Sequence, residues 1–316
     1  MHAPLISDRP PLKSLLRILL VIVLFGWTIL GQVLGVVVAA LVYDGNLMEA
    51  LQDPINHPDL RNTLLLSQFV AAFTGFIFMP WYYLKVSEGR SLAIFFRKEL
   101  KWPLLAVVIL IAVVGLGIVL SPVVEWNAGI QFPDWMAGFG NWAKETEKMA
   151  EALIESLTAN LTPVTFIVTL LVVAILPALG EEIVFRGLIQ TELTRALKNP
   201  HVAILIAAIF FSAFHLQFLG FVPRLLIGMF LGYLYYWSGN LWIPVLGHFF
   251  NNGLQLTGLY LYQKGVLSFD MGETDNIAPW PLVGISLVLT LALLVYLKNY
   301  FQSRLSTASD VPQPLQ

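Results

Sequence analysis

The residue types able to do chemistry in this chain lie inside apolar stretches: Glu181 and Glu182 with Arg186, then His215, then His248 with Asn252. Placing carboxylates, imidazoles and an amide in hydrocarbon is costly unless the groups find one another, so such residues are functional candidates by default. Glu182 and Arg186 stand at i, i+4 with the acid on the favourable N-terminal side, and the spacing predicts an internal ion pair. Glu181, rotated by about 100° around the same helix, then faces something else, and a carboxylate held away from bulk water is suited to take a proton from a water molecule. His248 and Asn252 are one turn apart and share a face, while Asn251 points elsewhere and serves as an interhelical hydrogen bonder. The chemistry on offer is water activated by Glu181 and His215, with or without a metal. Glu181, His215 and His248 are possible ligands of a divalent ion such as zinc. Taken singly, each residue also fits a plain role as polar glue between helices.

The chain has no H-E-x-x-H for a helix-borne zinc protease and no G-x-S-x-G elbow for a serine nucleophile. It has no cysteine, which removes thiol nucleophiles, thiolate metal sites and disulfides together.

The elements that must position these residues are helices in a bilayer. Of 316 residues, 57% are hydrophobic and 12% charged, with a mean hydropathy of +0.75; soluble domains carry about 25% charged residues. The composition describes an all-α polytopic membrane protein. A net charge of −2 with dispersed lysines and arginines gives no field for nucleic acid, and no such partner is expected. Apolar segments near the length of a spanning helix fall at 15–43, 62–86, 102–124, 161–196, 200–219, 221–238, 240–262 and 278–300, about eight in all. The first follows Arg9, Lys13 and Arg17 and is too long for a signal h-region, so it reads as a retained anchor. Three parts are expected: 1–160 with the first three helices and an outer interfacial segment, 161–262 as a catalytic core of the fourth to seventh helices, and 263–316 with the last helix and a cytoplasmic tail.

Orientation follows the positive charges. With a cytoplasmic N-terminus, the inside carries Arg9, Lys13, Arg17, Lys85, Arg90, Arg97, Lys98, Lys101, Arg195, Lys198, Lys298 and Arg304, and the outside Arg61, Lys144, Lys148, Arg224 and Lys264. An even helix count returns the C-terminus to the cytoplasm, and the expected location is the cell (inner) membrane. Counted at the helical rise from that side, His215 lies roughly 22 Å deep and Glu181 roughly 25 Å deep, so their levels match. The outer segment 142–157 places Trp142, Met149, Leu153 and Leu157 at helical spacing. Its polar face lacks the basic bias of a membrane-binding helix, which favours a connecting helix over a surface anchor. Trp102, Trp126, Trp135, Trp142, Trp242 and Trp280 fall near expected helix ends and read as an interfacial belt.

Glu181-Glu182-Ile-Val-Phe-Arg186, Phe211-Ser-Ala-Phe-His215 and His248-Phe-Phe-Asn-Asn252, in that order, resemble the motifs of the CAAX protease and bacteriocin-processing family, also called CPBP or Abi. The resemblance covers about Leu161 to Tyr262. It implies an intramembrane endopeptidase whose four-helix core surrounds a conical cavity open to the cytoplasm. Glu181 and His215 would activate the attacking water, His248 and Asn252 would form an oxyanion hole, and Glu182 and Arg186 would hold Glu181 in place. Members are often described as metalloproteases, yet the resemblance is compatible with a glutamate base and no obligatory metal. The implied partners are membrane lipids and a membrane-associated or lipidated peptide or protein substrate. The alternative is a non-proteolytic membrane scaffold or a bacteriocin immunity-type protein, because a shared fold does not prove a shared activity.

Overall fold

In the computed structural model, which describes residues 14–53, 56–57, 59–96, 102–268 and 277–309, every regular element is helical. Long apolar runs leave the backbone no partner but itself in lipid, and a helix satisfies each N–H and C=O internally. The elements are α1 (Ser14–Val42), α2 (Leu60–Glu88), α3 (Trp102–Ala128), α4 (Ala137–Thr158), α5 (Pro163–Leu197), α6 (Pro200–Phe214), α7 (Phe221–Ser238), α8 (Trp242–Gln263) and α9 (Trp280–Ser309). A short helix, Leu47–Gln52, joins α1 to α2.

All eight expected apolar segments are helical, but six of the described helices are both long and apolar enough to cross a membrane: α1, α2, α3, α5, α7 and α9. α6 has only 15 residues. α8 has the length, but His248, Asn251, Asn252 and Gln255 dilute its apolar character. His215 caps the end of α6 and α8 carries His248 and Asn252, so these two helices position three of the four residues expected to do chemistry; in α8 the polar residues are what lower the apolar character.

Two apolar clusters flank the middle of the bundle. Val21, Phe76, Phe185, Ile189, Ala207 and Phe211 join α1, α2, α5 and α6. Leu105, Ile109, Leu231, Leu234, Ile243 and Leu297 join α3, α7, α8 and α9. α1 and α2 approach through small residues: a Cβ on Gly31 would lie 2.7 Å from the Cα of Gly75, so only glycine allows this backbone contact.

Charge is divided between the two ends of the bundle. One end holds Arg17, Lys85, Arg90, Arg195, Lys198 and Lys298, with the acids Glu88 and Glu192 among them. Glu192 pairs there with both Arg17 and Arg195. The other end holds Asp44, Glu49, Asp53, Asp59, Glu145, Glu147, Glu151 and Glu155 beside Arg61, Lys144, Lys148 and Lys264. Arg61 ties that end together by donating to the carbonyls of Ser156 and Ala159. Arg9, Lys13, Arg97, Lys98 and Lys101, which entered the orientation argument, lie outside the described residues, as do 310–316 of the tail.

α4 covers the expected 142–157 segment, but its four apolar residues do not share one buried face. Trp142 and Met149 are exposed while Leu157 is buried. Trp126, Trp135, Trp242 and Trp280 are also exposed, as belt residues at helix ends would be.

Candidate active site

The polar residues are positioned by irregularities in α5. Its start is fixed by a reciprocal capping box between Thr162 and Thr165 with Pro163 in the first turn. Pro177 offers no N–H to the ladder, and the helix widens into π-helical turns over Leu170–Ile175 and Ile183–Gln190. Glu181 and Glu182 end the α-helical stretch between these two wide segments. Such wide turns recur at functional sites because they re-aim side chains without ending the helix.

Glu182 is fully buried and its Oε1 is shared. Arg186 Nη1 donates to it at 2.6 Å, and His248 Nδ1 lies 2.8 Å away on the other side. Arg186, only 1% exposed, also donates from Nη2 to the Gly228 carbonyl at 3.0 Å and lies 4.5 Å over the Phe211 ring. One turn on, Gln190 Nε2 donates to the Gly232 carbonyl at 3.0 Å. α5 and α7 are thus joined by two polar rungs in register. A Cβ on Gly232 would meet Gln190 Oε1 and Ile204 Cγ2 at 2.9 Å, so glycine is what admits the second rung.

Glu181 has a different environment. It is 8% exposed, its Oε2 has no hydrogen-bond partner, and that oxygen lies 4.0 Å from His248 Nε2. It faces a cavity of about 500 Å³ whose wall also includes His215, His248 and Asn252. The four residues singled out in the sequence therefore line one space. His215 caps the C-terminal end of α6, where Leu216 at φ 57° turns the chain, and its Nδ1 is 2.9 Å from the Phe211 carbonyl. A carbonyl can only accept, so Nδ1 carries the proton and Nε2 of the neutral ring is left as an acceptor. On α8, Asn251 Nδ2 donates to Asn252 Oδ1 at 3.0 Å.

Three parts of this wall differ from the sequence reading. Asn251 was expected to point away, but it lines the cavity, which is broader than one helix stripe. Arg224, read only as one of the outside charges, lines it too and donates to the Gln217 carbonyl at 3.0 Å. Glu147 and Glu151 of α4 close another side, with Gln217 Nε2 donating to Glu147 Oε1 at 2.9 Å. Burial pushes the Glu147 carboxyl above its ordinary value, and nearby Arg224 pulls it partly back. The alternating charges of Glu147, Glu151 and Arg224 sit in segments far apart in sequence, so no local spacing signals their meeting.

The cavity runs from Glu181 and His248 in mid-bundle to Ala128, Glu147 and Leu219. That is the acidic end. The path from the cationic end is filled by Leu188, Leu241, Tyr235 and Phe95, all buried. A cavity open to the cytoplasm and termini in the cytoplasm, both expected above, exclude each other in this fold.

Among the described residues no three His, Asp or Glu side chains are grouped so as to hold a metal ion. His248 Nδ1 is engaged by Glu182 and His215 Nδ1 by a carbonyl. Those bonds leave both Nε2 atoms free, but Glu181, His215 and His248 are not grouped as a set of three ligands, and the metalloprotease description finds no support.

Residues 163–254 match the family described as type II CAAX prenyl endopeptidase Rce1-like. This stretch of the bundle is thus similar to that family. The match begins with the first residue of α5 and ends two residues beyond Asn252, so the Rce1-like segment contains every residue of the three motifs. The chain is also 34% identical over 79 residues to the uncharacterized protein YpbD of Bacillus subtilis (strain 168), a stretch that is 24% of this chain. The chain spans 37% of the length of that curated relative. No solved structure matches it.

Proposed function

We propose that this integral membrane protein is an endopeptidase that hydrolyses a peptide bond of a membrane-associated or lipidated substrate within the bundle. The observation that carries the reading is that Glu181, with its Oε2 unpartnered, lines a cavity together with His215, His248 and Asn252 inside a segment that matches the Rce1-like family. A buried acceptor without a donor is costly; Glu182 Oε2 shares that state, but Glu181 is the glutamate that lines the cavity, where a bound molecule can supply the donor.

In this reading a water in the cavity gives a proton to Glu181 while His215 Nε2 accepts its other hydrogen bond and orients it. The water oxygen bonds to the scissile carbonyl carbon, and the carbonyl π electrons move to oxygen. That oxyanion takes hydrogen bonds from Asn252 Nδ2 and His248 Nε2. Asn251 supports the first donor, because it occupies Asn252 Oδ1 and so sets which end of the amide is free. Glu182 supports the second: with its carboxylate on Nδ1, a doubly protonated His248 can donate from both ring nitrogens. When the C–N bond breaks, the proton held by Glu181 passes to the departing amine. Arg186 and the two rungs to α7 keep Glu182 from shifting and so hold the whole turn.

The membrane orientation belongs to the same proposal. The cationic end faces the cytoplasm of the cell membrane, with both termini on that side.

The test compares membrane peptidomes of cells carrying the wild type and Glu181→Gln. Peptides made only by the wild type are expected, with a loss of rate of roughly 10²–10⁴-fold in the variant, the scale of a positioned proton acceptor. Identical peptidomes at equal amounts of inserted protein would leave the scaffold reading in place.

A further inference from the structure

The cavity meets the acidic end of the bundle, and the basic residues gathered at the other end favour that end as the cytoplasmic one. We infer that the bond cut at this site lies on the side of the membrane away from the cytoplasm, in an extracytoplasmic segment of a membrane-anchored chain rather than in a cytoplasmic lipidated tail. The inference rests on the hydrolytic reading of the site but adds to it a side and a substrate class.

Three independent features point the same way. The residues of the cavity wall farthest from Glu181 along their helices are Ala128 at the end of α3, Glu147 on α4 and Leu219 before α7, all at the acidic end. Asn127 locks this rim together, donating from Nδ2 to the Phe218 carbonyl at 3.2 Å and accepting from the Val222 N–H at 2.7 Å. Second, a route from the cationic end is closed by the packed side chains of Leu188, Tyr235 and Leu241 and by the two rungs between α5 and α7. Third, α6 starts at Pro200 on the cationic end and reaches His215 after fifteen residues, a rise of roughly 22 Å through a hydrocarbon layer of about 30 Å. The reactive groups therefore sit nearer the acidic face. Positive charges stay in the cytoplasm when a membrane protein inserts, whereas acidic loops contribute little to the choice. Arg17, Lys85, Arg90, Arg195 and Lys198 accordingly hold the far end inside, leaving the cavity mouth outside.

The absence of cysteine makes the test direct. Single-cysteine forms at Lys144 on α4, at Gln255 on the cavity wall and at Ser303 near the end of α9 (K144C, Q255C and S303C) are treated in sealed right-side-out vesicles with a membrane-impermeant maleimide. All three positions are exposed, and none is part of the proposed chemistry. Labelling of the first two, with Ser303→Cys reacting only after permeabilisation, is expected. So is the mapping of Glu181-dependent peptides to outward segments of their parent proteins. Labelling of Ser303→Cys alone in sealed vesicles, with Glu181-dependent cleavage intact, overturns the sidedness and leaves hydrolysis standing. The expected labelling with no Glu181-dependent peptides overturns the hydrolysis, and the substrate assignment falls with it.

Discussion

Glu181 and Glu182 are neighbours in sequence and opposites in environment. Glu182 is sealed among Arg186, His248 and the α5–α7 contact, one oxygen holding two partners. Glu181 lines a cavity of about 500 Å³ and its buried Oε2 has no hydrogen-bond partner. One helical step of about 100° separates a group used to hold structure from a group left free to react. The comparison separates two uses of buried charge. Both residues leave Oε2 without a hydrogen-bond partner; the difference is that Glu182 is anchored through Oε1 and positions others, while Glu181 is held by neither Arg186 nor His248 at hydrogen-bond distance and borders space that a ligand can fill.

The largest effect expected in the sealed region comes from removing one charge of its pair. Arg186→Met leaves Glu182 buried with only His248 and is expected to destabilise the folded protein by about 3–5 kcal/mol. Thermal unfolding in detergent reads this as a large fall in Tm. The double variant Glu182→Gln, Arg186→Met should recover much of the loss, since no uncompensated charge remains. If the single variant melts with the wild type, the sealed cluster is not what holds the turn.

On the open side the prediction has the opposite signature. Asn252→Ala removes an oxyanion donor, and such losses cost about 2.7–4 kcal/mol of transition-state stabilisation, roughly 10²–10³-fold in kcat. Its amide faces a half-open cavity, so Tm should barely move. Peptides from the Glu181-dependent set serve as substrates. A variant that loses stability but keeps kcat would place Asn252 with the sealed cluster instead.

Much of this division can be read from residue spacing, and some of it cannot. The Glu182–Arg186 pair follows from i, i+4 on a helix, and the shared face of His248 and Asn252 from the same rule. The equal depths of Glu181 and His215 came from counting residues along two helices. What spacing does not carry is contact between distant segments. His248 Nδ1 meets Glu182 across 66 positions, and Gln217 meets Glu147 across 70. Nor does hydropathy mark α8 as a span, because the residues that give it a function are those that lower its apolar character.

The smallest effect tests whether the sealed region is graded by charge or merely by burial. Gln190 and Arg186 make the same kind of bond one turn apart, each to a glycine carbonyl of α7 at 3.0 Å. Gln190 is neutral, and the Gly232 carbonyl it meets sits within the body of α7. Gln190→Leu keeps volume and removes one neutral hydrogen bond, a change of about 0.5–1.5 kcal/mol. Thermal unfolding should therefore show a shift several times smaller than that of Arg186→Met, with cleavage nearly unchanged. Equal shifts would mean that packing between α5 and α7, rather than the buried charge, sets the strength of the joint. The contrast between the two glutamates would then be one of access alone, Glu181 reached by substrate and Glu182 not.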